Sequence, residues 1–215
     1  MTVLQRNATS SGLPPVVRYL LIANIGLFLL EQVKMEALLE YFALWPTVHS
    51  IAYGRGPNLP GFEPWQLISY AFLHGSWTHL LFNMYALWFF GAPMENAWGS
   101  RRFLLYYLVC VIGAGITQLM VAGSTGEIYP TIGASGGVFG LLLAFGVIYP
   151  DERLMLLFPP VVMKAKWFVI VFGALELLFG VTGAEQGVAH FAHLGGMLFG
   201  YLLLVYWRSA SPPLR

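Results

Sequence analysis

Apolar residues in this chain gather into six stretches, separated by short breaks marked by polar residues, glycine or proline. They run approximately over 16–33, 77–91, 103–122, 134–149, 167–182 and 188–207. One helical crossing of a bilayer needs roughly 20 apolar residues; the second and fourth stretches fall short of that, which fits tilt or local thinning. The pattern predicts an all-α polytopic membrane protein whose six transmembrane helices occupy residues 16–207. Residues 1–15 and 208–215 form short tails on either side. The first stretch follows Pro14-Pro15 and has no small-residue cleavage site behind it, so it reads as a span and not as a removable signal. One connection is long, residues 34–76, between spans 1 and 2. It carries Trp45-Pro46, Phe62 and Trp65, and is predicted to be partly embedded at the membrane interface.

Composition agrees with lipid as the solvent. Of 215 residues, 58% are hydrophobic and 10% charged, where soluble domains run at about 25% charged; the mean hydropathy is +0.69. A net charge of +1 with no basic patch excludes nucleic acid as a partner. The one cysteine, Cys110, sits in an apolar run and reads as a buried thiol. Basic residues orient the spans. With the N-terminus cytoplasmic, the inside segments hold Arg6, Arg18, Arg101, Arg102, Arg153, Lys164, Lys166, Arg208 and Arg215, and the outside segments hold Lys34 and Arg55. Both termini are therefore predicted to be cytoplasmic. A chain this short, with no accessory domain between its spans, suggests a bacterial plasma membrane.

Polar groups inside lipid are costly and mark function. The second span carries His79 and Asn83 one helical turn apart, the fourth opens with Gly133-Ala134-Ser135-Gly136-Gly137, and the sixth begins with His190 and His193. All lie near the extracytoplasmic ends of their helices, so three spans bring polar groups to one depth. Gly133/Gly137, Gly136/Gly140 and Gly196/Gly200 are spaced to let helix backbones approach closely. That packing would carry the Ser135 hydroxyl toward the His193 imidazole, and a serine needs such a base to become a nucleophile at neutral pH. Asp151, the one aspartate, lies at the far end of the fourth span, which excludes a Ser-His-Asp triad. A dyad or an unusual glutamate partner remains, and Glu185 is the carboxylate nearest in sequence. Side-chain N–H groups of His79 and Asn83, with the Ser135 backbone N–H, are candidate donors to an oxyanion. Glu176, in the fifth span, has no evident role.

These residues resemble the rhomboid intramembrane serine proteases. The resemblance rests on Gly133-Ala134-Ser135-Gly136, on Ala192-His193-Leu194-Gly195-Gly196 through Gly200, and on His79-Leu80-Leu81-Phe82-Asn83. The flanks Leu73-His74-Gly75-Ser76 and Glu95-Asn96-Ala97-Trp98-Gly99-Ser100-Arg101 extend it, so that it covers roughly residues 65–207. It implies Ser135 as nucleophile, His193 as general base and then acid, and His79 and Asn83 as oxyanion stabilisers. It also implies substrates that are transmembrane segments of other proteins, met within the lipid bilayer, and no cofactor. Two positions depart from the family pattern. Trp65-Gln66 stands where Trp-Arg is common, and Phe139, four residues after the serine, stands where tyrosine is common.

Other readings of the same residues are a metal site, a transporter, and a non-catalytic relative that binds transmembrane clients. A metal site would draw on His74, His79, His190 and His193, but the sequence shows no HExxH and places no carboxylate beside them. No metal is therefore expected. A transporter favours inverted repeats and charged midplane residues, whereas this sequence shows no repeat and its polar cluster lies toward one face. Inactive relatives usually lack the serine or the histidine, and both are kept here. His190 reads as a packing or supporting residue beside His193, and His74 as a structural hydrogen-bonding partner. The fifth span and the loop 183–187 read as a gate and cap over the site.

Overall fold

Each of the six apolar stretches forms a helix in the computed structural model, which describes residues 12–46, 60–126, 129–155, 160–183 and 188–210. Arg6, Arg55, Glu185, Gly187 and Arg215 lie outside the described residues, as does most of the proposed cap. In chain order the elements are α1 (Pro15–Phe42), the four-residue α2 (Gln66–Ser69) running into a 3₁₀ turn at Tyr70–Phe72, α3 (Trp77–Trp98) and α4 (Ser100–Thr125). They continue with α5 (Ser135–Ile148), a short antiparallel hairpin of β1 (Arg153–Met155) and β2 (Val162–Lys164), α6 (Ala165–Thr182) and α7 (His190–Ala210). By length and composition α1, α4 and α6 can each cross a membrane, and α5 is a shorter apolar helix. Large apolar side chains such as Ile22, Leu81, Phe82, Met120, Ile170 and Leu198 point outward, as they do where lipid and not water covers the surface.

Helix ends differ from the apolar stretches wherever polar residues continue a helix. The first was expected to stop at residue 33. It bends at Lys34 (φ −132°, ψ 30°) and continues to Phe42, so the long connection begins nine residues later. The second runs past Gly91 and through Pro93 to Trp98, giving 22 residues where the apolar run had suggested a short span. The β-hairpin was not foreseen; Lys164 and Lys166 both donate to Asp151 beside it, at 2.9 and 3.1 Å.

α7 packs most extensively against α4 and α5, and α5 fills the middle of the bundle. The α5–α7 contact is close enough that a Cβ on Gly196 would overlap the Gly136 carbonyl, and one on Gly140 would overlap Cys110 and lie 3.1 Å from the Gly196 carbonyl oxygen. By contrast, Gly137 faces Tyr107 and Val111 of α4 and not α7. The Tyr106 hydroxyl donates to the Gly140 carbonyl (2.9 Å) and that of Tyr70 to the Val111 carbonyl (2.7 Å). α6 stands at the edge: of its residues only Ala165 is buried.

The connection between α1 and α3 is tied down by backbone bonds. Leu44 and Thr131 exchange a pair of bonds (3.0 and 2.9 Å), and the Gly133 N–H donates to the Tyr70 carbonyl (2.9 Å). Gln66, where the arginine was missing, is buried and accepts from the Trp45 and Glu63 backbone N–H groups at 3.1 and 3.2 Å. The indole N–H groups of Trp45 and Trp65 donate to the Leu39 and Tyr41 carbonyls, both at 2.9 Å.

Two buried carboxylates hold α1 in place. A helix begins with N–H groups that have no partner of their own. Those of Val16 and Val17 donate to Glu95 of α3 at 2.9 and 2.8 Å, and the Ser100 hydroxyl donates to the same carboxylate at 2.6 Å. Further along α1, Glu31 accepts from the His74 backbone N–H at 3.1 Å. Glu95→Ala strands two donors at the start of α1 and is expected to lower the unfolding free energy by about 2–4 kcal/mol. Denaturant titration in detergent measures this; an unchanged midpoint would show that the carboxylate does not secure the helix.

Candidate active site

Three helix beginnings converge at one depth. Ser76 starts α3 as its cap, accepting from the His79 backbone N–H at 3.1 Å, and this sets His79 in the first turn. Ser135 is the first residue of α5. His190 and His193 occupy the first turn of α7.

Ser135 and His193 meet directly: the Ser135 Oγ to His193 Nε2 distance is 2.7 Å. His193 is nearly buried, and the Phe139 ring lies flat against it, with centroids 4.3 Å apart and planes 6° from parallel. Phe139 thus supplies the stacking face without a hydroxyl. On its other side, His193 Nδ1 lies 2.8 Å from Glu176 Oε2, and His190 Nδ1 lies 2.7 Å from the same oxygen. Among the described residues Glu176 is therefore the carboxylate beside the histidines, and the expectation that none would lie there is overturned. The Glu176, His190 and His193 donor atoms all fall within 4.8 Å of one another, so the cluster has the composition of a cation site as well as of a hydrogen-bonded one. Sequence order hides this contact, because Glu176 sits in the middle of another helix. A lone carboxylate in an apolar span was the available signal.

His79 lies against the loop that delivers the serine. A Cβ on Gly133 would come within 2.8 Å of its ring, and Gly133 has φ +124°, a conformation that favours glycine. Ser135 opens α5, so its backbone N–H is one of the helix's unpaired donors, at the positive end of the helix dipole. Asn83 is buried one turn below His79, and its amide donates to the His79 carbonyl at 3.0 Å. It makes no direct bond to Ser135 among the described residues. His74, expected to be a hydrogen-bonding side chain, is fully buried with its ring edge-on to His79 at 5.0 Å; neither ring nitrogen has a partner among the described residues. Its backbone N–H makes the structural bond instead, to Glu31. Gly133→Ala is expected to cost about 1–3 kcal/mol through backbone strain alone and to push His79 aside; a wild-type thermal melt from this variant would refute the placement of His79.

Comparison with known proteins agrees with this arrangement. The rhomboid domain family model matches residues 61–210. Over 178 residues, 81% of this chain, the sequence is 34% identical to the rhomboid protease GluP of Bacillus subtilis, covering 33% of that protein. It is 31% identical over 152 residues to the mitochondrial presenilin-associated rhomboid-like protein of Mus musculus, covering 66% of this chain and 39% of the relative. It is also 36% identical over 143 residues to RHOMBOID-like protein 4 of Arabidopsis thaliana, covering 34% of that protein. The aligned regions thus span between a third and two-fifths of these relatives' length. With the family model matching residues 61–210, more than half of this chain, and the motif residues gathered at one depth of a helical membrane bundle, the chain belongs to the rhomboid family.

Proposed function

We propose that this chain is an intramembrane serine endopeptidase that hydrolyses peptide bonds in or near transmembrane segments of other membrane proteins. The observation that carries the reading is the 2.7 Å contact between Ser135 Oγ and His193 Nε2. In this mechanism Ser135 attacks the scissile carbonyl as its hydroxyl proton passes to Nε2. His193 then returns that proton to the leaving amine, and water hydrolyses the acyl-enzyme by the same route. Negative charge grows on the carbonyl oxygen in both steps. The Ser135 backbone N–H, His79 and Asn83 are the donors that stabilise it.

Phe139 limits rotation of the His193 ring, which keeps Nε2 on the serine. Substrate enters from lipid as a helix, unwinds locally and presents an extended stretch to Ser135. All six long helices cross the bilayer in this reading. The bias of basic residues puts both termini in the cytoplasm and the site near the outer face, in a plasma membrane of bacterial type.

Purified protein in detergent, incubated with a tagged transmembrane substrate, tests the proposal. Ser135→Ala and His193→Ala are each expected to abolish cleavage and fluorophosphonate labelling of the serine. Asn83→Ala, removing one oxyanion donor, is expected to lower kcat on the order of 10²- to 10³-fold. Cleavage that survives Ser135→Ala would overturn the nucleophile. Wild-type protein that neither cleaves nor takes the label would instead favour a non-catalytic rhomboid that binds transmembrane clients.

A further inference from the structure

We propose that Glu176 is a positioning residue for His193: a third member of the site, delivered by α6, which holds the imidazole in the tautomer that makes it a base. The inference rests on the protease reading above. Its geometric basis is one carboxylate oxygen shared by two ring nitrogens, His193 Nδ1 at 2.8 Å and His190 Nδ1 at 2.7 Å. A carboxylate accepts hydrogen bonds and has no proton to give. Both Nδ1 atoms therefore carry hydrogen and donate to Oε2. In a neutral imidazole a proton on Nδ1 leaves Nε2 bare, and Nε2 is the atom that faces Ser135. Without Glu176 the other tautomer becomes accessible, and an Nε2–H pointing at the serine cannot take its proton.

The same contact serves the step itself. As the Ser135 proton moves to Nε2, His193 becomes a cation while its Nδ1–H stays bonded to Glu176. The carboxylate balances that charge without receiving the proton. His190 supplies the second donor, pinning Oε2 so that it does not swing away from His193. Both partners are needed for another reason: a carboxylate this far from water is tolerated where N–H donors satisfy it. Glu176 is thus explained by the chemistry of its neighbours, whereas packing does not account for a glutamate on an edge helix in which Ala165 alone is buried.

The test uses the full chain in detergent with a tagged transmembrane substrate and a fluorophosphonate. Glu176→Ala is expected to lower kcat on the order of 10²- to 10⁴-fold with KM unchanged. Glu176→Gln keeps an acceptor oxygen without the charge and is expected to fall between Ala and wild type. Nitrogen-15 spectra of ring-labelled histidine, assigned against His193→Ala, are expected to show His193 protonated at Nδ1 in wild type and shifted toward the Nε2–H tautomer in Glu176→Ala. A tautomer unmoved by Glu176→Ala, or full kcat in that variant, would overturn the proposal while Ser135-dependent cleavage by wild type left the protease reading standing. Cleavage that survived Ser135→Ala would remove both. Activity lost on chelation and restored by zinc alone would assign the three residues to a cation, which also overturns the hydrogen-bond role.

Discussion

The backbone contact of α5 with α7, Gly136 against Gly196, is what the rest of the site depends on. Lipid gives little hydrophobic drive for one apolar helix to seek another, so association rests on van der Waals contact and on hydrogen bonds between helices. Two glycines facing each other bring the backbones so near that a methyl group at Gly196 would overlap a carbonyl. His193 lies one turn before Gly196 and Ser135 immediately before Gly136. The separation of the hydroxyl and the imidazole is therefore set by backbone contact, and not by long side chains reaching across a gap. Tyr106, donating to the Gly140 carbonyl, holds the same seam from the α4 side.

Three N-terminal helix turns meet here, and that gives the site a common polarity. Each helix start brings the positive end of its dipole to the site. The chain orders the loops that feed these starts through backbone bonds: the Leu44–Thr131 pair and the bond from Gly133 to Tyr70 aim the segment before Ser135. The exception is Glu176, which comes from mid-helix on α6. The histidine's orientation is thus vested in an edge helix with one buried residue, Ala165.

Much of this was legible in the residues. Six apolar stretches marked six helices, and the depth of His79, Asn83, Ser135 and His193 followed from where each lies in its stretch. Gly136 and Gly196 pointed to the close seam because small residues spaced a turn apart have one strong use in lipid, whereas Gly200 meets Tyr106 and Cys110 of α4. Helix ends were less legible, since hydropathy ends a span at Lys34 or Pro93 while backbone hydrogen bonding carries the helix on. The pairing of Glu176 with His193 was hidden for a different reason. Seventeen positions separate them, and which face of α6 meets α7 depends on packing around the whole bundle. Gln66 shows the same effect in reverse. It stands where arginine is common in the family, and its amide oxygen takes two backbone donors that secure the loop.

Glu95 bears on the order in which the chain can be completed during synthesis. The first turn of α1 leaves its N–H groups at Val16 and Val17 to a carboxylate that lies 79 and 78 positions further on. A ribosome feeding residues into the membrane in order delivers α1 long before its partner exists. α1 therefore waits until α3 has been made and turned back beside it. Its first turn is finished only after the helix that follows it in the membrane, and a single glutamate near the end of α3 closes that interval.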